Sequence, residues 1–392
     1  MKRIQVLFLI IILKTSCVAQ IDSIAKALVD TVKSKLIVDD IPKKTFKDVF
    51  MYPHRWYVRL LLSPKKSAYD TSYIKSSKHK LTITIPLVKK FYGFNITDIT
   101  TKKTLKLSPN NYYYLGFNFS NVIATVGFYP GIKFGSKPNR GKTSGKDFQL
   151  TLIGTKIITD INYQTYSGFY VYNTKDYEIS KTNSDTIVIR PDINIYSFGV
   201  NTMYVLNNKK YSLRGAFSFT DVQRKSAGSF MAGLYHSYVT LFSNDTTFIK
   251  HPLTQNFSPL LSKINKITQV SLGLSGGYGY TYVYKKIIFS AAVNIGLGGQ
   301  KTSYNLLEGK KESLKPNVTV SLNAKNAIRY DNLRFFVGVL TSYDNNLAFN
   351  SSVFNNEKYI ARIVGFVGYR FNIKQNGKKV LKAMGLIDYE KK

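Results

Sequence analysis

The residue types that most often carry out chemistry are few in this chain and widely spaced. Its four histidines, His54, His79, His236 and His251, include no two at the spacing of ligands to one metal ion. Cys17 is the only cysteine, so a chain that loses its first residues has no thiol and no disulfide. The sequence therefore predicts no metal centre and no cofactor.

One histidine is followed directly by a serine, in the segment LYHSYV (234–239). A serine nucleophile needs a base within hydrogen-bonding distance. Neighbours on a strand point to opposite faces, so His236 and Ser237 cannot form that pair by themselves. We predict a protein that is not an enzyme. The alternative is a lipid-modifying enzyme, which would need a serine or histidine with a base beside it at the outer rim.

The beginning of the chain reads as a secretory signal peptide. Lys2 and Arg3 precede a short apolar run that ends at Leu13, and cleavage is predicted after Ala19. Lipidation of Cys17 is a weaker alternative, because a lysine stands where a lipobox has an aliphatic residue. Residues 1–19 are therefore assigned to a signal peptide, and the localisation predicted is the bacterial outer membrane.

No later apolar run is long enough for a membrane helix, so an integral membrane protein would have to be a β-barrel. The segment QVSLGLSGGYGYTYVY (269–284) alternates apolar with small or polar residues, which predicts a strand with one face toward lipid. Similar alternation predicts strands at 79–88, 111–119, 122–130, 147–155, 157–170, 192–205, 210–222, 228–242, 267–284, 286–298, 316–329, 333–343 and 358–372.

Short turns and long loops alternate between these segments, as the periplasmic turns and extracellular loops of membrane barrels do. The alternation fails around residues 222–266, and a further strand near TTFIKHP (246–252) would repair it. The prediction is an all-β, transmembrane, antiparallel up-and-down barrel of about 12 to 14 strands, the larger even number being preferred. The barrel is assigned to residues 79–373, after a periplasmic segment (20–78) with a short amphipathic helix and before a basic tail (374–392).

Two groups of barrel residues are predicted to face different surroundings. The tyrosines nearest the Lys285–Lys286 turn are expected in a periplasmic aromatic girdle: Tyr278, Tyr280, Tyr282 and Tyr284. Basic residues in phase with polar positions are expected in an anion-attracting lumen, in water, against a plug, or paired with distant acids such as Asp160: Arg214, Lys325, Arg334, Arg362 and Arg370.

The short basic element QRKSAGS (223–229) allows two interpretations. Gln223, Arg224, Lys225 and Ser226 could form a folded-in loop that constricts the lumen. The favoured interpretation is a plain tight hairpin in which Gly228 supplies an unusual backbone angle.

The net charge of +34 would ordinarily suggest nucleic acid, but a secreted chain does not normally meet it. We predict no nucleic-acid partner and expect outer-membrane lipid, including anionic headgroups, and small anionic solutes instead. The glycine- and lysine-containing segment 136–146 is expected to lie against such headgroups. A low-GC genome that enriches lysine would explain the charge equally well. The late aromatic Phe371 is expected to be recognised by barrel assembly machinery.

Several stretches resemble a family of Bacteroidota outer-membrane proteins catalogued as domain of unknown function 4421. The resemblance is carried by YDTSYIKSSKHKLTITIPL (69–87), SPNNYYYLGFNFS (108–120), YQTYSGFY (163–170), the long segment 190–234 and GGYGYTYVYKK (276–286). It implies an outer-membrane barrel and brings no activity with it. Two roles stay open: a passive or plugged pore with a basic lumen, and a structural or interaction barrel that binds anionic lipid or a periplasmic partner.

Overall fold

The structure, a computed structural model, describes residues 69–77, 80–110, 113–120, 124–129, 133–154, 156–177, 187–244, 246–250, 253–349 and 352–372. The predicted signal peptide, most of the predicted periplasmic segment and the predicted tail lie outside these residues. The strands are β1 (Ile74–Lys75), β2 (Lys80–Asp98), β3 (Thr104–Ser108), β4 (Tyr113–Leu115), β5 (Phe117–Ser120), β6 (Ala124–Phe128), β7 (Lys133–Phe134), β8 (Ser144–Ile153), β9 (Ile157–Val171), β10 (Ile189–Val205), β11 (Val222–Gln223), β12 (Ala227–Ser243), β13 (Ile264–Tyr284), β14 (Ile287–Leu306), β15 (Lys311–Ser313), β16 (Asn317–Asp331), β17 (Phe335–Ala348) and β18 (Phe354–Asn372). Among the residues that the structure describes there is one α-helix, α1 (Leu213–Phe217).

The first and last strands of the wall pair with each other and close a barrel. β18 runs antiparallel to β2 from the pair Phe354 and Asp98 to the pair Asn372 and Lys80. Of the sixteen strands in this sheet, the short β3, which pairs with β2 and β9, and β15, which pairs with β14, make no crossing of their own, while β4 with β5, and β6 with β7, each make one crossing. Twelve crossings therefore remain among the described residues, the lower of the predicted numbers.

The alternation of the sequence becomes the two faces of the barrel wall. On β13 the residues from Leu272 to Tyr284 at even positions are exposed, and those between them point inward. The inward glycines of β13 and β14 leave room for Tyr235 of β12. A Cβ at Gly273 would lie 2.5 Å from the Tyr235 ring, and one at Gly296 would lie 2.6 Å from it. Glycine is thus required on this inner face by a close approach.

The exterior of the barrel carries an apolar belt. Its members include Leu272, Leu274, Val293, Ile295, Leu297, Ile328, Val337, Val339, Ile363 and Val367, all exposed. Water-soluble proteins rarely expose a continuous apolar surface of this kind. The strands that carry the belt are 14 to 21 residues long, which is enough to cross an apolar layer. No helix in the described part of the chain is long and apolar enough to cross a membrane. The fold is a transmembrane, antiparallel, up-and-down β-barrel.

The connections sort into a short-turn end and a long-loop end. Tight turns join β8 to β9, β13 to β14 and β16 to β17, at the same end as the start of β2 and the end of β18. Longer connections join β9 to β10, β12 to β13 and β14 to β16 at the other end. One long connection, residues 206–226 between β10 and β12, lies at the short-turn end. Because the strand predicted at 210–222 does not form, the connection from β12 to β13 falls at the long-loop end, and no described residue near TTFIKHP forms a further strand.

The segment 206–226, which we call the plug, replaces that predicted strand. Ser212 caps α1, its side-chain oxygen accepting a hydrogen bond of 2.9 Å from the Gly215 N–H. The same hydroxyl donates to Asp221 over 3.0 Å, so the chain turns back on itself. A strand would have separated these residues. Alternation over so short a stretch predicted the wrong element, because local capping and a buried ion pair favour the folded turn.

The long-loop end is filled by a second layer, which we call the cap, formed by residues 246–250 and 253–263. Its buried apolar side chains belong to one cluster with inward residues of β2, β3, β9, β10, β12, β13, β14 and β18: Phe248, Ile249, Leu253, Phe257 and Leu261. Polar ties hold it in place. Arg190 donates to the Thr247 carbonyl over 2.7 Å, and the Ser258 N–H donates to Asp98 over 2.6 Å.

Candidate functional site

Between the plug and the cap, the lumen contains a polar chamber made of two adjoining cavities. Their volumes are about 180 Å³ and about 100 Å³. Both cavities are lined by Asn162, Asn201, Asn323, Asp344 and Arg362. The plug contributes Phe217, Ser218 and Phe219 to the wall of the larger cavity. The chamber is the candidate site because inward polar side chains from opposite walls converge on it.

Two lysines of the chamber are neutralised by carboxylates from other strands. Lys90 of β2 forms a buried ion pair with Asp147 of β8. Lys325 of β16 reaches Asp160 of β9 with 2.9 Å between Nζ and Oδ2, and Thr151 donates a further hydrogen bond to Asp160. β16 and β9 are not neighbours in the wall, so this second pair spans the lumen. Paired charges of this kind fill a lumen without leaving an isolated ion.

Arg362 of β18 differs from these lysines. It lines both cavities, between Ser342 of β17 and Lys90 of β2 in the sheet register. Its Nε is buried and has no hydrogen-bond partner, and within the described residues no carboxylate forms an ion pair with it. Arg362 is therefore a chamber cation whose charge no protein group of the described ranges neutralises directly.

The structure separates the five basic residues that the sequence assigned to one lumen. Only Lys325 and Arg362 border the chamber. Arg214 lies on α1 rather than on a strand, is 1% exposed and pairs with Asp221 at 2.7 Å. Arg334 is exposed in the turn between β16 and β17. Arg370 faces inward but holds the plug. The phase of a residue along a strand indicated its side of the wall. Of the surroundings expected for these residues, pairing with the distant acid Asp160 is the one that Lys325 has.

Arg370 belongs to a group that fixes the plug, which we call the latch. Its two terminal nitrogens donate to both carboxylate oxygens of Asp331 over 2.8 Å, and its Nε donates to the Phe219 carbonyl over 2.9 Å. Arg329 donates to the same Asp331 over 3.1 Å. All three charged side chains are essentially inaccessible. The hydrogen bond from Arg370 to the Phe219 carbonyl thus ties the plug to β18. The bidentate ion pair with Asp331 holds the Arg370 guanidinium in place for this bond.

Phe219 forms the apolar part of the latch. Its ring stacks on Phe366 with 4.3 Å between centroids and meets Phe336 at 5.6 Å. The Arg329 guanidinium lies 5.2 Å from the centre of the Phe219 ring. Phe219 has a φ of 58°, an unusual value for a residue with a large side chain. The tip of the plug is therefore held in a conformation that the surrounding barrel imposes.

The element QRKSAGS adopts neither of the forms predicted for it. Gln223 pairs with Ile74 in the small β1–β11 sheet, and the Arg224 N–H donates to the Tyr73 carbonyl over 2.7 Å. Arg224 and Lys225 are exposed at the short-turn end and do not line the chamber, and Ser226 donates to no lumenal group but accepts from the Val283 N–H over 3.0 Å. The segment that enters the lumen is the preceding one. Gly228 lies within β12, without a positive φ.

The predicted aromatic girdle residues lie outside the wall near the short-turn end. Tyr278, Tyr280, Tyr282 and Tyr284 are all more than two-fifths exposed, and the Lys285–Lys286 turn follows them. His236 also lies on the outer face, where its ring is 6.5 Å from that of Phe198, whereas Ser237 is buried. The two residues therefore point to opposite faces. No group of three or more metal-ligating side chains occurs in the described ranges.

Several residues of the chamber and latch escaped the sequence-based prediction, among them Lys90, Asp147, Phe219, Arg329 and Asp331. Lys90 carries a readable signal, because it shares the inward phase with the threonines of KLTITIPL. Asp331 lies between two segments predicted as strands, where an acid is ordinary. Phe219 could not be found while its segment was interpreted as a strand.

The comparisons with known proteins concern the architecture. The outer membrane protease OmpT of Escherichia coli is similar over 77% of this chain and 100% of its own, with 10% identity and a TM-score of 0.34. The Pseudomonas putida toluene transporter TodX is similar over 75% of this chain and 90% of its own, with 7% identity and a TM-score of 0.25. Neisserial surface protein A (NspA) is similar over 74% of this chain and 97% of its own, with 7% identity and a TM-score of 0.24. Such remote similarity says nothing about what this chain binds or does.

No curated protein matches the chain. A family model does match, over residues 68–371, which covers nearly all of the described barrel and well over half of the sequence. The chain therefore belongs to the family described as Domain of unknown function (DUF4421).

Proposed function

We propose that this protein is a closed barrel of the bacterial outer membrane that acts as a structural or interaction protein and not as a passive pore. The observation that carries the proposal is the filling of the lumen at both ends, by the plug and by the cap. The short-turn end faces the periplasm, as short turns do in outer-membrane barrels. Partners then meet the protein at its two ends and at its lipid-facing wall.

The closure has the character of a fixed structural feature. A loop that opens easily has few buried contacts and a well-hydrated backbone. The plug instead buries Arg214 against Asp221 and places Phe219 among the rings and guanidinium groups of the latch. The cap buries its aromatic residues in the apolar cluster at the long-loop end. Each layer would have to expose buried charge or apolar surface before solute could pass.

Conductance in planar lipid bilayers tests the proposal. The purified full-length protein is expected to be electrically silent, because ions cannot cross either layer. Its insertion into the bilayer is monitored independently, by the heat-modifiable migration on gels that folded barrels show. Stable channels from inserted wild-type protein would overturn the proposal and favour the alternative, a pore with a basic lumen. Anion selectivity of those channels would point to Arg362 and Lys325 as the residues responsible.

A basic rim at the short-turn end supports a role for anionic lipid. Lys285 lies 5.5 Å from the Tyr284 ring, and Lys286 lies 5.9 Å from that of Tyr330. The tyrosines face outward, so these lysines stand at the level expected for lipid headgroups. A lysine near an anionic leaflet contributes about 1 kcal/mol of attraction.

A paired set of variants tests the lipid contact. Lys285→Gln/Lys286→Gln should bind less phosphatidylglycerol than the wild type in native mass spectrometry of the protein in mixed micelles. Lys102→Gln/Lys103→Gln removes the same charge from an exposed turn at the long-loop end and is the matched control. If both double variants lost the same amount of bound phosphatidylglycerol, the overall charge of the protein, rather than the basic rim, would govern lipid binding.

Assembly into the membrane is supported by the last strand. Phe371 is 46% exposed on the outer face of β18, one residue before the strand ends. An exposed aromatic in this position fits recognition by barrel assembly machinery. Replacement of Phe371 by serine should slow the appearance of heat-modifiable protein in the outer-membrane fraction, whereas the same change at Phe289, an exposed aromatic of an interior strand, should have a smaller effect.

A further inference from the structure

The chamber between plug and cap holds more positive than negative charge. Its basic side chains and their partners comprise four cations, Lys90, Lys325, Lys358 and Arg362, and three carboxylates, Asp147, Asp160 and Asp344. Lys90 and Lys325 are paired as described above. Lys358 donates to Ser197, and Asp344 accepts from Asn323. Lys358 and Arg362 thus share one further carboxylate, Asp344, and the excess of one positive charge lies on these two cations. Of the two, Arg362 has a buried nitrogen without a hydrogen-bond partner.

An unneutralised arginine inside a closed barrel is unfavourable, because the charge loses bulk hydration without gaining a counter-charge. Nearby amides offer further polar atoms. The Asn201 Oδ1 atom is buried without a partner, and Asn162 and Asn323 share the wall with Arg362. Since an amide presents both a donor and an acceptor, rotation of Asn201 can turn its N–H groups toward the cavity. The guanidinium and these amides form a set of donors around one space.

We infer that the chamber binds one small oxyanion, a phosphate or a carboxylate, on Arg362. The planar guanidinium matches both chemistries, since it donates two parallel hydrogen bonds to two oxygens. The volume of the larger cavity, about 180 Å³, corresponds to roughly six water molecules and accommodates such an ion with part of its hydration shell. The closure of both ends excludes a lipid headgroup with its acyl chains. The ligand is therefore a free solute, and it exchanges slowly.

Equilibrium binding to the purified, folded full-length protein tests this site. The protein in detergent is dialysed to equilibrium against radiolabelled inorganic phosphate and, separately, against radiolabelled acetate. We expect saturation at about one ion per chain for at least one of the two probes. Arg362→Gln should bind that probe at least about tenfold more weakly, the loss expected for charge-assisted hydrogen bonds. Arg362→Lys keeps the charge but loses the planar guanidinium, so its affinity for the probe should lie between those of the wild type and Arg362→Gln.

Arg334→Gln is the matched control, because it removes one arginine charge from an exposed turn outside the chamber. It should bind like the wild type. Heat-modifiable migration verifies that each variant is folded, and Arg362→Lys serves as the test if Arg362→Gln fails to fold. Equal binding by wild type and the folded Arg362 variant would overturn the inference, and so would the absence of saturable binding of both probes to the wild type.

The oxyanion site rests on the closed lumen of the proposed function, but different results would overturn the two proposals. Wild-type channels in planar bilayers would overturn the closed barrel. Loss of oxyanion binding in the Arg362 variant would still locate the ion on Arg362, now as a site along a pathway. A silent wild type that binds neither probe would leave the closed barrel intact and remove the anion site.

Discussion

Replacement of Asp331 by asparagine tests whether the latch holds the plug. Asp331 is the only acid that contacts the two arginines of the latch among the described residues, and it accepts two hydrogen bonds from Arg370 and one from Arg329. Asparagine keeps the shape but removes the charge and one acceptor. Two buried guanidinium groups would then lack a counter-ion.

The expected magnitude follows from burial. The side chains of Asp331, Arg329 and Arg370 are at most 1% exposed, so solvent screens their interactions very little. Breaking a buried ion pair from one side costs about 3–5 kcal/mol. If the cost is borne by the closed state of the plug, the open fraction rises by about 10²-fold to several thousandfold, since about 1.4 kcal/mol corresponds to a factor of ten.

Thiol labelling measures that fraction. In a Cys17→Ser background, Ser218→Cys places one thiol on the plug where it faces the chamber. A water-soluble maleimide reaches it only when the plug opens, so the labelling rate of Asp331→Asn should rise by the same factor. Glu308→Gln, which removes an exposed carboxylate at the long-loop end, is the control. A labelling rate for folded Asp331→Asn within a few-fold of the parent would refute the assigned role of the latch.

Three further predictions are tested either by the temperature at which the folded form is lost on gels or by the rate at which a protease cleaves the cap. Lys325→Met should be less stable than Lys325→Met/Asp160→Leu, because the single change leaves a lumenal carboxylate unpaired; a double variant no more stable than the single one would contradict this. Gly277→Ala should lower stability by about 1–3 kcal/mol, since its Cβ would lie 2.1 Å from a backbone oxygen, whereas Gly276→Ala on the outer face should be nearly neutral. Asp192 accepts hydrogen bonds from Arg190, Ser243 and Thr246, and Arg190 also holds the cap through the Thr247 carbonyl; Asp192→Asn should therefore speed cleavage of the cap by added protease, and an unchanged cleavage rate would contradict this.

The wall of the barrel was predictable from the sequence, whereas the contents of its lumen were predictable only in part: Asp160 was expected as a distant partner, but not of a particular cation. The outward and inward residues of β13 can be predicted from the alternation of apolar and small residues, because a period of two depends only on neighbouring positions in the sequence. The pair Lys325–Asp160 joins residues 165 positions apart, and the bond from Arg370 to Phe219 joins residues 151 apart. Such distant partners depend on strand order and register, which one sequence does not specify.

The plug shows a second limit. Tyr211, Leu213 and Phe217 alternate with other residues as a strand would, and the segment is short enough for either structure. The choice is decided by Ser212, Arg214 and Asp221, whose capping bond and ion pair exist only in the folded turn. The sequence contained these residues, but nothing indicated that they would meet inside a barrel.

The latch has a consequence for the order of assembly. It joins a loop that follows β10, an acid at the end of β16 and an arginine near the end of β18, the strand that closes the barrel against β2. Only β18 supplies Arg370, so the latch cannot form before this strand is in place. The step that completes the wall is therefore also the step that makes fastening of the plug possible, and a chain that stalls before it carries an unfastened plug.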